Sequence, residues 1–449
     1  MSTPDRANVR RWALYDFGSS AFNTLVVTFI YSRFFADVIV TSGEAALTVC
    51  TTGDTVGAIL WTRAINVSAL IVAVLMPVLG AVADYSGRKK LFLVGFALQA
   101  IVFTCLLFFV GPGQATAAIL LFVIANVGFE AANVFYNAFL PEIATKETMG
   151  RVSGYGFFLG YIGGMICLVF ALGMVTEYLP GGPWLPGGEA AGYLNVRATL
   201  LLVAVWFTVF SLPLFLGLEE RAERRSAGVT DYARIGFGRL ANTLHHLRDL
   251  REAAKLLLAR MIYNDGLVTV ISLAAIYAGA VLGIGNEFIL IAIALNVAAG
   301  LGAWAFGFVD DRIGGKKTLI ITLVGLTLAG IVGVTWTSIA GFWVAATVIG
   351  IMMGPNQSAS RSLFAKLVPE HKHGEMFGLF AFSGKMSSLL GPLAYGTVLS
   401  ATCDHRLAMG TIVLFFVVGL GILGFVREEE GIRLAQSLHE EYTATNARA

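Results

Sequence analysis

GAVADYSGRKK at 80–90 and GFVDDRIGGKK at 307–317 are two copies of one pattern. Gly80 and Gly307 are each followed four residues on by an aspartate, Asp84 or Asp311, and then by Gly87 or Gly314. Basic residues close both copies: Arg88, Lys89 and Lys90 in the first, Lys316 and Lys317 in the second. The copies lie 227 residues apart in a chain of 449, so the pattern marks a half-chain repeat. Two weaker echoes have similar spacing. Leu140-Pro141-Glu142 answers Val368-Pro369-Glu370, and Tyr15-Asp16 answers Tyr263-Asn264-Asp265. In each loop glycine permits close approach and a tight turn. The aspartate is suited to a helix N-terminus, which would favour one closed arrangement of that face.

Apolar runs of about 20 residues, the length that crosses a bilayer core, surround these loops. They fall at 12–36, 62–83, 91–110, 116–139, 152–174 and 196–217 in the first half. The second half gives 257–281, 287–308, 318–336, 340–361, 376–399 and 407–426. The chain is 57% hydrophobic and 13% charged, against about 25% charged in soluble domains. Too little charge remains to cover a water-facing surface. The expected fold is an all-α membrane protein of twelve transmembrane helices in two pseudo-symmetric six-helix bundles. Its parts are an N-terminal bundle at 1–217, a cytosolic linker at 218–256, a C-terminal bundle at 257–426 and a cytosolic tail at 427–449. In such parallel repeats the substrate sits between the halves, and access alternates as they rock.

Basic residues orient the spans. One set of connections holds Arg6, Arg10, Arg11, Arg88, Lys89, Lys90, Lys146, Arg151, Arg312, Lys316, Lys317, Lys366 and Lys372. The opposite set holds Arg63, Arg197 and Arg406, with Arg33 near the end of the first span. Both termini and the central loop are therefore expected in the cytosol, the inner membrane being the site if the source is bacterial. The basic, then apolar N-terminus lacks a small-residue cleavage site and reads as an uncleaved span. Trp12, Trp61, Trp184 and Trp336 are expected at the interfaces. In the linker, Leu240, Leu244, Leu247 and Leu250 beside Arg239, Arg248 and Arg251 predict a surface amphipathic helix.

Ionisable and amide groups inside spans are costly, so they mark a cavity or an interhelical contact. Glu130 and Lys385 fall near the midplane. Asn126, Glu130, Asn133 and Asn137 are spaced to share one face of the fourth span. Substrate or proton contact is one reading of that stripe, and interhelical hydrogen bonding is the other. Asp16, Ser19, Ser20 and Asn23 share a face of the first span, as do Asp265, Thr269 and Ser272 in the seventh. These could serve a cytosolic gate, a cavity wall or structural pairing. Asn356 and Gln357, beside Pro355, offer further polar contacts. Gly354-Pro355 and Gly391-Pro392 could bend their helices. The glycines of the fifth span, Gly154, Gly156, Gly160, Gly163 and Gly164, suit close packing. The gate candidates are Gly80, Asp84, Gly87, Arg88, Gly307, Asp311, Gly314 and Lys316.

The doubled loop resembles the signature between the second and third helices of the major facilitator superfamily. Tyr85 and Gly315 stand where that signature usually has basic residues. RRWALYDFGSSAF (10–22), ANVFYNAFLPEIATKETMGRVSGYGFFLGYIGG (132–164) and ARMIYNDG (259–266) are similar to the autophagy-related vacuolar effluxer group and its bacterial relatives. The resemblance covers nearly the whole chain. It implies transport, and through the fungal members amino-acid efflux.

Other classes find little support. Net charge is +2, which argues against a nucleic-acid partner. Cys50, Cys105, Cys167 and Cys403 form no C-x-x-C pair or Cys/His cluster, so neither metal nor cofactor is expected. Cys50 and Cys403 both fall on the outer side, where a disulfide is an open alternative. No nucleophile–base, H-E-x-x-H or G-x-x-x-x-G-K-[ST] motif is present. An enzyme is not expected, nor is ATP-driven pumping by this chain alone. The leading expectation is a monomeric secondary transporter for a small polar solute such as an amino acid. In it Lys385 would draw a carboxylate, while Glu130 or an aspartate would draw an amine or carry a coupling proton. An exporter of amphipathic or lipid-like molecules, which 32 phenylalanines permit, and a non-transporting receptor are the alternatives.

Overall fold

The computed structural model describes residues 6–40, 56–177, 180–218, 220, 238, 250–282, 288–336, 338–387 and 390–446. The first half supplies α1 (Arg6–Ile39), α2 (Val56–Ser86), α3 (Lys89–Leu107), α4 (Ala115–Ala138), α5 (Met149–Val175) and α6 (Leu194–Gly217). The second supplies α7 (Arg251–Leu282), α8 (Phe288–Ile313), α9 (Gly315–Thr335), α10 (Ile339–Lys366), α11 (His373–Met386), α12 (Leu390–Thr402), α13 (His405–Gly424) and α14 (Glu428–Asn446). Among the described residues, ten helices are long and apolar enough to cross a bilayer. Helices suit that solvent because they satisfy their backbone hydrogen bonds internally. Lipid-compatible side chains such as Leu70, Val74 and Leu216 are exposed, while Tyr15, Phe122, Phe135 and Tyr136 are buried between helices.

The structure refines the expected spans. The run at 376–399 holds two described helices, α11 to Met386 and α12 from Leu390, next to the Gly391-Pro392 pair expected to bend it; 388 and 389 lie outside the described residues. α10 continues through Pro355 and past 361 to Lys366, so Arg361 lies inside the helix. Trp12 and Trp61 are buried between helices. Trp12 donates its indole N–H to the Tyr136 carbonyl at 2.9 Å and stacks on the Tyr136 ring. Trp184 and Trp336 are about half exposed, at 48% and 51%. Cys50 and most of the linker at 218–256 lie outside the described residues, as does the Ser272 side chain.

The halves meet along two related seams. α11 packs along α2, and α8 along α5. Within the first half α1 lies on α5 and α6. Within the second, α7 lies on α13, and α10 on α8 and α9. The ends of α2, α8 and α10, the starts of α5 and α11, and α14 gather at one end of the bundle, here the basic end.

Candidate functional site

At the basic end the two loops of the repeat perform the same operation in trans. Asp84 accepts hydrogen bonds from the backbone N–H groups of Gly374 and Glu375, both at 2.9 Å, at the first turn of α11. Asp311 accepts from the N–H groups of Gly150 at 2.8 Å and Arg151 at 3.3 Å, at the first turn of α5. Each half thus places a carboxylate on the positive end of a helix from the other half. Both closures are reinforced by cations. Arg151 donates its Nε to Asp311 at 2.8 Å. Lys89 lies 3.3 Å from Asp84 and 3.0 Å from Glu142. Glu142, the acid of the Leu-Pro-Glu echo, therefore ties the fourth span to the first loop.

The glycines make this approach possible. A Cβ on Gly80 would lie 2.2 Å from the Gly374 carbonyl oxygen, so no other residue fits. Gly87 and Gly314 take φ values of 60° and 93°, the left-handed region that favours glycine. Arg88 follows as the N-terminal flank of α3. The basic residues after each loop bond within their own half. Lys90 donates its Nζ to the Leu218 carbonyl at 2.7 Å, and Lys316 to that of Gly424 at 2.8 Å. Glu220 and Glu428 accept from the first N–H groups of α3 and α9: Lys90 at 3.4 Å, and Gly315 and Lys316 at 2.9 and 3.0 Å.

Above this closure the helices bring Glu130 and Lys385 together. Lys385 Nζ lies 2.5 Å from Glu130 Oε1. The pair joins α4 of the first half to α11 of the second. By helical rise, Glu130 stands about 12 Å from the basic end of α4 and Lys385 about 18 Å along α11. Their side chains keep 24% and 27% of their exposure, although each sits well inside its helix. A charge pair facing lipid would be costly, and this pair is satisfied across the two halves. Asn23, at the start of a π-helical stretch of α1 (Phe22–Phe29), is exposed as well. Asn133 and Gln357 are half-buried.

The remaining sequence candidates divide. Asn126 is buried and donates to Ser68 on α2 at 2.6 Å, and Asn356 is buried and donates to Thr322 on α9 at 3.1 Å. Both are interhelical bonds within one half. Asp265 accepts from the N–H groups of Leu390 at 3.0 Å and Gly391 at 2.8 Å. It caps the first described turn of α12, and Asn264 beside it donates to Ser387 at 2.6 Å. Asn137 and Asp16 belong to a further cluster, centred on a residue the sequence reading did not single out. Arg361 of α10 is 3% exposed. It donates to Asn137 Oδ1 at 3.0 Å, to Ser153 Oγ at 2.9 Å and to the Ser153 carbonyl at 2.7 Å. Its guanidinium lies over the rings of Trp12 and Phe157. All of these partners come from the first half. Tyr136 donates its hydroxyl to Asp16 at 3.2 Å. Among the described residues no group of three or more His, Cys, Asp and Glu is placed to hold a metal ion.

Known proteins give this arrangement a context. Residues 4–436 match the family model described as vacuole effluxer Atg22 like. An uncharacterised MFS-type transporter of Bacillus subtilis, YxiO, is 30% identical over 431 residues, covering 96% of this chain and 97% of its own. Autophagy-related protein 22 of Yarrowia lipolytica is 23% identical over 474 residues, covering 86% of this chain and 78% of its own. Among solved structures, the proton:xylose symporter XylE superposes with a TM-score of 0.69 at 13% identity, over 96% of this chain and 97% of that one. The paired loops, the interhalf seams and these matches agree: the chain belongs to the Atg22-like vacuole effluxer family, an integral, multi-pass, non-enzymatic branch of the major facilitator transporters.

Proposed function

We propose that this member of the family carries a small zwitterion, with an amino acid as the leading class, through twelve spans arranged as two bundles of six. In this reading α7, and α11 with α12, complete the ten helices that meet the length and hydropathy criteria. The parts are 1–217, 218–256, 257–426 and 427–449, as the repeat suggests. The basic end, with both termini, faces the cytosol, in keeping with the bias of lysine and arginine. Secondary transport of a small solute by alternating access belongs to the family; cargo class, proton coupling, orientation and a monomeric state are proposed for this chain.

The observation that carries the reading is the Glu130–Lys385 pair. One anion and one cation, on opposite halves and partly open to solvent, complement the amine and carboxylate of a zwitterion. A bound cargo would separate the pair, substitute for both partners and so bias how the halves sit relative to each other. This supplies the differential interaction that any ligand-driven shift requires. The test starts from a thermal-shift screen of amino acids, peptides, sugars and lipids, followed by proteoliposome flux of the best hit. Amino acids should stabilise the wild type, and Glu130→Gln should abolish that shift and lower flux at least about tenfold, the effect of about 1.4 kcal/mol. Stabilisation by lipids or sugars with no amino-acid response would overturn the cargo class.

A further inference from the structure

Arg361 is a fully enclosed cation whose hydrogen-bond acceptors, Asn137 and Ser153, are neutral. It reaches from α10 into the first half, and three aromatic rings of that half surround it: Trp12, Tyr136 and Phe157. The neighbouring Ser358 hydroxyl donates to Ser153 at 3.0 Å, and the Ser153 hydroxyl donates back to the Ser358 carbonyl at 2.9 Å. The halves are thus stitched at this level, between the central charge pair and the basic end. The basic end cannot open unless α10 withdraws Arg361 from these rings.

A buried cation needs a counter-charge. Tyr136, whose ring lies beneath the guanidinium, donates its hydroxyl to Asp16, so Asp16 is the carboxylate tied to this socket. Among the described residues, four titratable groups surround Asp16. Its own helix gives Tyr15, α4 gives Tyr136, α5 gives Tyr161 and α10 gives Arg361. The side of α6 packed on α1 presents Trp206, Phe207 and Phe210, rings without charge. Asp16 is half-buried beside Ser20. Its charge state therefore sets whether Arg361 is compensated in its socket.

We propose that Arg361 is an interhalf bolt held by the charge of Asp16, and that protonation of Asp16 from cavity water releases it and opens the basic end. The carboxylate gains one proton from solvent and becomes a neutral acid, leaving Arg361 as a lone charge among rings and hydroxyls. Withdrawal toward water then favours the open arrangement, and closure requires Asp16 to give the proton up. The inference rests on the alternating-access reading above but needs no knowledge of the cargo. It makes Asp16, and not Glu130, the group whose titration is tied to the movement.

The test measures distance between spin labels on the exposed residues Glu147, before α5, and Arg312, at the end of α8, in full-length protein in nanodiscs. Both are changed to cysteine in a background lacking the native cysteines. The expected wild-type result is a short distance at pH 8 and a growing long-distance population by pH 5.5. Asp16→Asn should give the long distance at both pH values, as should Arg361→Ala. Asp16→Glu should restore pH dependence, which also shows that the fold tolerates change at this position. An Asp16→Asn protein that keeps the wild-type distances and pH response would overturn the proposal. So would loss of the pH response in Glu130→Gln with its retention in Asp16→Asn. Flux assays judge the cargo separately: a bolt that behaves as described in a protein that moves no amino acid would refute only the cargo.

Discussion

At the scale of single residues, the polar groups inside this chain divide into those that stay partly exposed and those enclosed in structural contacts. Glu130 and Lys385 keep about a quarter of their side-chain exposure, whereas Asp265, Asn126 and Asn356 are enclosed with their partners. The two groups should respond differently to substitution. Asp265→Ala removes the cap of α12, and losing such a cap costs roughly 0.5–2 kcal/mol. It should lower the unfolding temperature in detergent by several degrees, while Asp265→Asn lowers it less. Lys385→Ala should leave that temperature within about a degree but abolish amino-acid stabilisation, because a partly solvated pair contributes little to folding. Equal losses of stability in both variants would remove this distinction. The sequence placed Glu130 and Lys385 by depth alone, since helical rise converts position to depth. It could not separate Asn126 from Glu130, because a shared helical face does not show which neighbour each member meets. Arg361 was hidden by a boundary: with the tenth span ended at 361, the arginine read as the last residue of a helix that runs to Lys366.

Among elements, the informative contrast is between close and open glycine positions. On α5, a Cβ at Gly163 would lie 2.1 Å from the Phe17 carbonyl oxygen, whereas at Gly95 of α3 nothing stands within 4 Å. Gly163→Ala should force α1 and α5 apart at a cost of about 1–3 kcal/mol. Gly95→Ala should be neutral or stabilising by roughly 0.5–1 kcal/mol, the helix-interior gain over glycine. Thermal unfolding of the two variants checks the pair, and a destabilised Gly95→Ala with an unaffected Gly163→Ala would show the packing to be wrong. The same scale holds a device that sequence reading missed. Glu428, at the start of α14, caps α9, and Lys316 bonds the last carbonyl of α13. Glu428→Ala should therefore loosen α9 and raise hydrogen exchange in its first turn. The basic residues of the loops had been assigned to orientation, which was sufficient to explain them, so their hydrogen bonds left no separate trace in the sequence. Of the break between α11 and α12 only the Gly391-Pro392 bend was legible, because the Asp265 carboxylate that accepts from Leu390 and Gly391 comes from another helix.

For the whole molecule, the half-chain repeat was the most legible feature, because similar local chemistry recurs at corresponding places in the two halves. What it could not show is that each loop serves the opposite half. Asp84 sits on α11 and Asp311 on α5, so the two copies together hold one end shut. Each carboxylate–helix contact is worth up to about 2 kcal/mol, and the pair is well matched to a transition that a small ligand can reverse. Removing both should move the equilibrium toward an open basic end by one to two orders of magnitude, about 1.4 kcal/mol per tenfold. The central claim is that the space around Glu130 and Lys385 is reached by water from alternate sides. Labelling of Asn133→Cys, one turn from Glu130, by a membrane-impermeant thiol reagent tests it directly in vesicles of each orientation lacking the native cysteines. The account predicts labelling from the outer side when Asp84 and Asp311 are intact, and from the basic side when both are changed to asparagine. No labelling from either side, or the same sidedness in both proteins, would contradict it.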